Sequence, residues 1–261
     1  MTSLAKLADK LLGILEADRE NHLDKIERYF YGQHDDPYMP EGADAEYKLL
    51  VKRSVYNLCD LVVATPTQAL YVDGFRPGNW SPSPEEPATI PKEWDHWQYS
   101  RLDARQAAVH QSAITYGHSF TVTEKDKKGK IITRGMSPLR TAALYEDPAN
   151  DIVPVAALTV RRYPNHTEDG QRLPGLAIMW DEKNRYEVHF GHGKNTTVTN
   201  PARHGASECP VTRFAAQVDL EGRTLGVIEP IIPVQDRLNQ VTLDGLAVSY
   251  THLTLPTNRE V

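Results

Sequence analysis

Apolar residues recur at helical spacing from Leu4 to about Tyr29, with Leu4, Leu7, Leu11, Leu12 and Leu15 on one face and Ser3 placed to cap its start. The loop YGQHDDPYMPEG then interrupts the pattern, because Gly32, Pro37, Pro40 and Gly42 forbid a regular element across it. A second helix is predicted over about 45–64 from Tyr47, Leu50, Val51, Val55, Leu58, Leu61 and Val62. Pro66 should end it, since its ring removes a donor and disfavours helical geometry at Thr65. Residues 69–72 then read as a short strand, and Gly74 permits a tight turn before Phe75.

Residues 81–91, SPSPEEPATIP, hold four prolines and read as a stiff surface connection. That composition suits a domain boundary and suits a long loop within one domain equally well. A third helix is predicted over 92–116, with Trp94, Trp97, Leu102, Ala108, Val109 and Ile114 available for packing and Gly117 closing it. Beyond it the period changes from helical to alternating. Strands at 119–123 and 130–133 flank the turn KDKKGK. Strands at 142–145 and 155–161 flank EDPAND, and strands at 176–180 and 186–190 flank DEKNR. A last helix begins near Ile228, with Pro230 and Pro233 in its first turn and Val234, Leu238, Val241 and Leu246 as its apolar stripe. Helices first, a mostly antiparallel sheet region next and a further helix last make an α+β order, with no internal repeat.

Composition narrows the function more than the fold. The 261 residues are 40% hydrophobic and 25% charged, which suits one large or two modest globular domains. A formal charge of −6 argues against wrapping nucleic acid on a dominant basic surface. The two cysteines, Cys59 and Cys209, are expected as reduced thiols, Cys59 on the buried side of its helix. Residues 1–15 are interrupted by Lys6, Asp9 and Lys10, so they make neither a signal peptide nor a membrane span.

Candidate chemistry is thin. GHGKNT at 191–196 suggests a phosphate loop, but the required first glycine is Val188 and Asn195 replaces the metal-binding hydroxyl. A glycine turn between strands explains it. His189, His192, His204 and Cys209 are zinc-ligand types without the spacing of a closed site. The pairs Asp35–Asp36 and Glu85–Glu86 are adjacent loop carboxylates, which point apart rather than share a proton. Asn165-His166-Thr167 and Asn195-Thr196-Thr197 fit the glycosylation pattern with nothing to route the chain to a secretory compartment. Lys125, Lys127, Lys128 and Lys130 form the densest basic cluster, a solvated hairpin tip with contact to DNA or a partner as the other reading. No catalytic, cofactor-binding or metal-binding residue is assigned, and no enzyme activity or cofactor is expected.

Three blocks in order carry a resemblance. Residues 54–77, SVYNLCDLVVATPTQALYVDGFRP, follow the tyrosine-rich loop RYFYGQHDDPYMP. WQYSRLDARQAAVHQSAITYGHSFTV is a helix ending in Tyr-Gly before a strand. CPVTRFAAQVDLEGRTLGVIEPIIPVQDRLNQVTLDGL leads from a Pro-Val strand to Ile-Glu-Pro and a helix bearing Gln-Asp-x-x-Asn, with Asp236 and Asn239 as its acidic and amide positions. Over about Leu4 to Leu246 the chain resembles the amino-terminal part of a tailed-bacteriophage portal protein of the Gp6-like, SPP1-type family.

The resemblance implies a non-enzymatic homo-oligomeric ring, usually a dodecamer, at one capsid vertex of the virion, assembled in the host cytoplasm. The implied partners are the terminase large subunit, the major capsid and scaffold proteins, the head-completion proteins and double-stranded DNA passing through the channel during packaging and ejection, with no membrane. Another virion assembly component, such as a minor capsid or connector protein, is the alternative. On this reading 1–80 are the amino-terminal helical part of a wing, 81–91 the connection, and 92–247 an α+β wing region ending in a helix. Residues 248–261, VSYTHLTLPTNREV, break the helical stripe and resemble translated sequencing-adapter read-through, so they are expected to be a non-native tail on a truncated portal. Such a piece is expected as monomers or ill-defined aggregates.

Overall fold

A computed structural model of the chain describes residues 3–39, 41–42, 45–75, 91–166, 172–191 and 193–254. Most of the proline-rich connection, Glu85, Glu86, Thr167, His192 and residues 255–261 therefore lie outside the described residues.

The amino-terminal helical run is α1 (Ser3–Asp18), a π-helical turn (Arg19–Leu23) and α2 (Asp24–Phe30). The apolar face of α1 is buried as its spacing predicts, through Ala8, Leu11 and Leu15. The helix predicted over 45–64 is two helices, α3 (Ala45–Ser54) and α4 (Cys59–Ala69), broken at 55–58. Val51, Cys59 and Val63 are buried, whereas Leu61 of the expected stripe is exposed. Pro66 does not end α4, which continues to Ala69. The hydroxyls of Thr65 and Thr67 donate to the Leu61 and Val63 carbonyls on either side of the one that loses its donor, and the helix ends three residues later. The predicted strand over 69–72 is absent. Ala69 closes α4, and residues 70–75 pair with no strand.

The helix predicted over 92–116 is also divided, into α5 (Lys92–Tyr99) and α6 (Leu102–Tyr116), at Arg101 in the left-handed region (φ 55°). Gly117 (φ 89°) closes α6 as expected. Among the described residues ten strands follow: β1 (His118–Lys125), β2 (Ile131–Met136), β3 (Thr141–Leu144), β4 (Ala156–Arg162), β5 (Asn165–His166), β6 (Arg172–Leu173), β7 (Gly175–Trp180), β8 (Asn184–Gly191), β9 (Gly193–Arg203) and β10 (Val211–Ala215). The three predicted strand pairs are β1–β2, β3–β4 and β7–β8, all antiparallel. They build a three-stranded sheet in the order β10-β1-β2 and a five-stranded sheet in the order β3-β4-β7-β8-β9, beside the small β5–β6 pair. The glycine turn read at 191–196 is the reversal from β8 to β9, where Gly191 pairs with Gly193.

Strand alternation sorts the core into layers. Leu158, Val160, Ala177, Met179 and Val188 of the larger sheet meet Ala8, Leu11 and Leu15 of α1. Ala157, Ile178 and Trp180 point the other way, onto Phe120, Val122 and Val211 of the smaller sheet. Ser119, whose hydroxyl donates to the Val109 carbonyl, turns toward α6. A third apolar cluster, through Ile26, Tyr29, Cys59, Val63, Ile114, Ile228 and Ile232, joins α2, α4 and α6 to the last helix. Helices from before the proline-rich connection thus share cores with elements that follow it.

After a short 3-10 turn (Glu229–Ile231) the last helix, α7 (Ile232–Thr254), runs on beyond residue 247 without a break in its backbone. Its buried face differs from the predicted one. Ile232, Gln235, Asn239 and Leu243 are buried, while Val234 and Val241 are 61% and 68% exposed. Two side-chain amides occupy the place where the stripe rule expects aliphatic groups.

Candidate functional site: a polar junction on the last helix

The break at 55–58 carries backbone groups that two helices cannot satisfy, and the amides of α7 satisfy them. Gln235 Nε2 donates to the Tyr56 carbonyl at 2.6 Å, and its Oε1 accepts from the Leu58 N–H at 3.0 Å. Gln235 Nε2 also donates to Asn239 Oδ1 at 2.9 Å, and that oxygen accepts the Tyr56 N–H at 3.2 Å. One helical turn separates the two amides, so residues four apart present a single polar edge to the chain.

Asn239 extends the edge to the tyrosine-rich loop. Its Nδ2 faces His34 Nδ1 at 3.1 Å, while His34 Nε2 lies 3.1 Å from the Tyr29 carbonyl. A carbonyl accepts only, so the imidazole hydrogen sits on Nε2 and Nδ1 receives the amide. The His34 ring stacks on Tyr29 at 4.9 Å between centroids. The Tyr29 hydroxyl donates to Asp236 Oδ1 at 2.6 Å and lies 3.1 Å from Asp35 Oδ2. Burial, then the hydrogen bond to Asp236, raises the Tyr29 pKa well above its ordinary value. Burial pushes the Asp35 carboxyl up, but hydrogen bonds from Arg28 and Tyr29 outweigh it and hold the pKa below the usual carboxylate value. Asn57 completes the junction, donating to the Phe30 carbonyl at 3.0 Å and accepting the Cys59 N–H at 3.1 Å. Gly32 (φ 74°) lets the loop turn close beside it.

Gln106 uses the same device elsewhere. It is 2% exposed on α6, and it accepts the Val72 N–H at 2.7 Å while donating to the Val72 carbonyl at 3.2 Å. An amide replaces the neighbouring strand that the segment after α4 lacks. Phe75 then packs edge-on to Trp97, with centroids 5.5 Å apart.

Two glycines fix how the remaining blocks meet. A Cβ on Gly117 would lie 2.8 Å from backbone of Thr224 and Leu225, and one on Gly226 would lie 2.2 Å from the Thr115 carbonyl oxygen. Backbone therefore touches backbone where Tyr-Gly meets Leu-Gly, and the Val227 N–H donates to the Ile114 carbonyl at 2.9 Å. A cleft of about 640 Å³ opens beside this crossing, lined in part by Asp18, His22, His118, Tyr145 and Arg213. His118 Nδ1 lies 2.8 Å from Thr224 Oγ1. Burial, then the nearby Arg213 charge, pushes the His118 pKa down to about 4.

The residues singled out from sequence fall apart or serve structure. His189 stands on β8, His204 Nε2 faces the Asp181 carbonyl at 3.1 Å, and Cys209 is buried with its thiol pushed up to about 11, first by burial. No group of three or more His, Cys, Asp or Glu among the described residues could hold a metal ion. Burial, then the charge of Asp236, raises the Cys59 thiol, which favours the unreactive form. Asp35 pairs with Arg28 at 3.1 Å. The lysine-rich segment is the β1–β2 turn, where Asp126 accepts the Lys128 and Lys130 N–H groups and the Tyr99 hydroxyl. No helix among the described residues is long and apolar enough to cross a membrane.

Sequence reading named Gln235 only as the first letter of Gln-Asp-x-x-Asn, without a role, and missed Gln106 and His34. For the two glutamines the signal was a polar residue on an otherwise buried helix face, as in Ile232, Gln235, Asn239 and Leu243, which the apolar-stripe rule passes over, whereas His34 lies in the loop after α2 and gave no periodic signal. What the arrangement does chemically is hold chain: its side chains bind backbone and one another. It joins the tyrosine-rich loop and the 54–77 block to the Gln-Asp-x-x-Asn helix, two of the three blocks that carry the resemblance. No curated protein matches the chain. A family model described as phage portal protein, SPP1 Gp6-like, matches residues 13–251, from within α1 to within α7. The chain belongs to the SPP1 Gp6-like family of phage portal proteins.

Proposed function

We propose that this chain is the wing region of a structural portal subunit, which assembles into a ring at one capsid vertex and passes double-stranded DNA driven by a separate terminase motor. The observation that carries the reading is the family match over residues 13–251, across nearly every described element. The junction supports it, because a ring subunit must hold its wing and its last helix in one fixed relation while force is applied elsewhere. Scaffold and capsid proteins during assembly, and head-completion proteins afterwards, are the partners this role requires. The subunit itself contributes geometry, and no catalytic step is assigned to it.

The role is tested by expressing the portal gene at its natural length and imaging the product by electron microscopy. Closed rings with a central hole are expected, and a uniformly monomeric product rejects the proposal.

A further inference from the structure

β3 is an edge strand of the larger sheet, whose order runs β3-β4-β7-β8-β9. Its ladder to β4 uses alternate residues. The Arg140 carbonyl accepts the Val160 N–H at 2.7 Å and the Leu144 carbonyl accepts the Val155 N–H at 2.8 Å, with Ala142 opposite Leu158 between them. The main-chain groups of Arg140, Ala142 and Leu144 therefore face β4, and those of Thr141 and Ala143 face away from it. Among the described residues, no group bonds to the outward N–H and C=O of Thr141 or Ala143.

That edge opens on the cleft of about 640 Å³, which is lined by all of residues 141–145. Successive side chains of a strand point to opposite faces, so a space that touches every residue in a row runs along the strand's edge. The walls of the cleft continue the two layers of the core. On one side stand Ile14, Leu23 and Ile26 of the amino-terminal helical run, and on the other Phe120 of β1 and Arg213 of β10. Ala142 packs toward the first wall and Ala143 toward the second.

Charge is divided between the same two walls. Arg213 is held on the second wall by the Pro148 and Asp151 carbonyls, and Arg223 stands exposed at its rim. The carboxylates belong to the first wall, where Asp18 lies at the end of α1 and Glu229 lies 3.2 Å from His22 Nδ1.

We propose that an extended segment of another protein adds beside β3 as a further strand of the sheet, its main chain bonding to Thr141 and Ala143. Unused donors and acceptors along a sheltered edge select extended main chain as the occupant, because a strand returns both an N–H and a C=O at every second residue. The walls select its side chains. Those turned toward Ile14, Leu23 and Ile26 are apolar, and those turned toward Arg213 and Arg223 carry carboxylates. The site is independent of the ring reading and stands whether or not a ring closes.

The probe is a synthetic heptapeptide alternating valine with glutamate, added to the full chain and followed by fluorescence anisotropy and amide hydrogen exchange. The Ala143 amide should exchange fast in the free chain and at least tenfold more slowly with peptide, while the Ala142 amide, already bonded to β4, changes little. A fully N-methylated copy keeps the side chains but cannot donate from its main chain, and should bind at least tenfold more weakly. Ala143→Pro removes the outward N–H without touching the ladder to β4 and should weaken the peptide as much. If circular dichroism shows that this variant unfolds, the N-methylated copy tests the same bonds on the unaltered chain. Arg223→Glu should reverse the preference between the glutamate peptide and its lysine counterpart, and an unchanged preference refutes the acidic partner. No protection of Ala143 at millimolar peptide overturns the proposal, and so does equal binding by the N-methylated copy. An Ala143 amide already protected in the free chain also overturns it. Protection that rises with protein concentration would give the edge to a second copy, and constant protection would give it to the chain's own residues.

Discussion

The layered sheet core and the junction on α7 are both buried, yet they hold together by different physics. In the layered core, Leu11, Leu158, Met179, Val188 and Trp180 exclude water, and their contribution depends on area and fit. In the junction, Gln235 (2% exposed) and Asn239 (1%) sit at equal depth, and their contribution depends on direction. The core would accept another apolar shape of similar volume. The junction accepts only groups that donate and accept at the same points. Apolar burial supplies stability that many sequences can supply, while the amide edge fixes where residues 55–58 lie against the last helix.

Removing the largest buried side chain should give the largest effect. Trp180→Ala removes the indole between the two sheets and its 2.7 Å hydrogen bond to Glu124, and should cost about 3–5 kcal/mol in urea unfolding. A loss below about 1 kcal/mol would mean that the two sheets are not stabilised through this contact.

The sharper test compares substitutions that nearly conserve volume. Gln235→Leu leaves the Leu58 N–H and the Tyr56 carbonyl without their partner and should cost about 2–4 kcal/mol. Leu158→Met in the dry core should cost less than about 1.5 kcal/mol. Equal losses in the two denaturation curves would erase the distinction between the regions.

Acid probes a third place, the cleft at His118, through the slope of stability with pH. The His118 pKa is depressed from 6.5 to about 4, so between these values the unfolded chain binds the proton that the folded chain refuses. Its contribution is fully present above pH 6.5 and is lost as pH falls toward 4, up to about 3 kcal/mol. The lowered carboxylates, Asp35, Asp126, Asp147 and Asp181, act below their ordinary value of 3.8, outside that window. Thermal melts of His118→Gln should lose the slope between pH 6.5 and 4, and an unchanged slope would assign it to other groups.

Much of the fold was legible along the chain because local rules decide it. The apolar face of α1, the turn after β1, the three strand pairs and the glycine that closes α6 all follow from spacing and turn chemistry. The errors cluster where a side chain from a distant segment replaces a local hydrogen bond. Helix propensity across 45–64 gave way at 55–58 because Gln235 and Asn239 satisfy that backbone from well over a hundred residues away. The segment after α4 found its partner in Gln106 instead of a strand. The apolar stripe of α7 pointed to the wrong face, because the buried one is polar.

By itself, the sequence determined the order of helices and strands, the absence of a recognisable catalytic motif and the three blocks that mark the family. These depend on periodicity, residue type and spacing, all of which are local. The tertiary structure alone decided that the first and last of those blocks meet in one junction, that Gln106 of the middle block holds the segment after α4, and that backbone crosses backbone at Gly117 and Gly226. Hydrogen bonds and close approaches depend on positions in space, and no spacing along the chain encodes which distant groups will face each other.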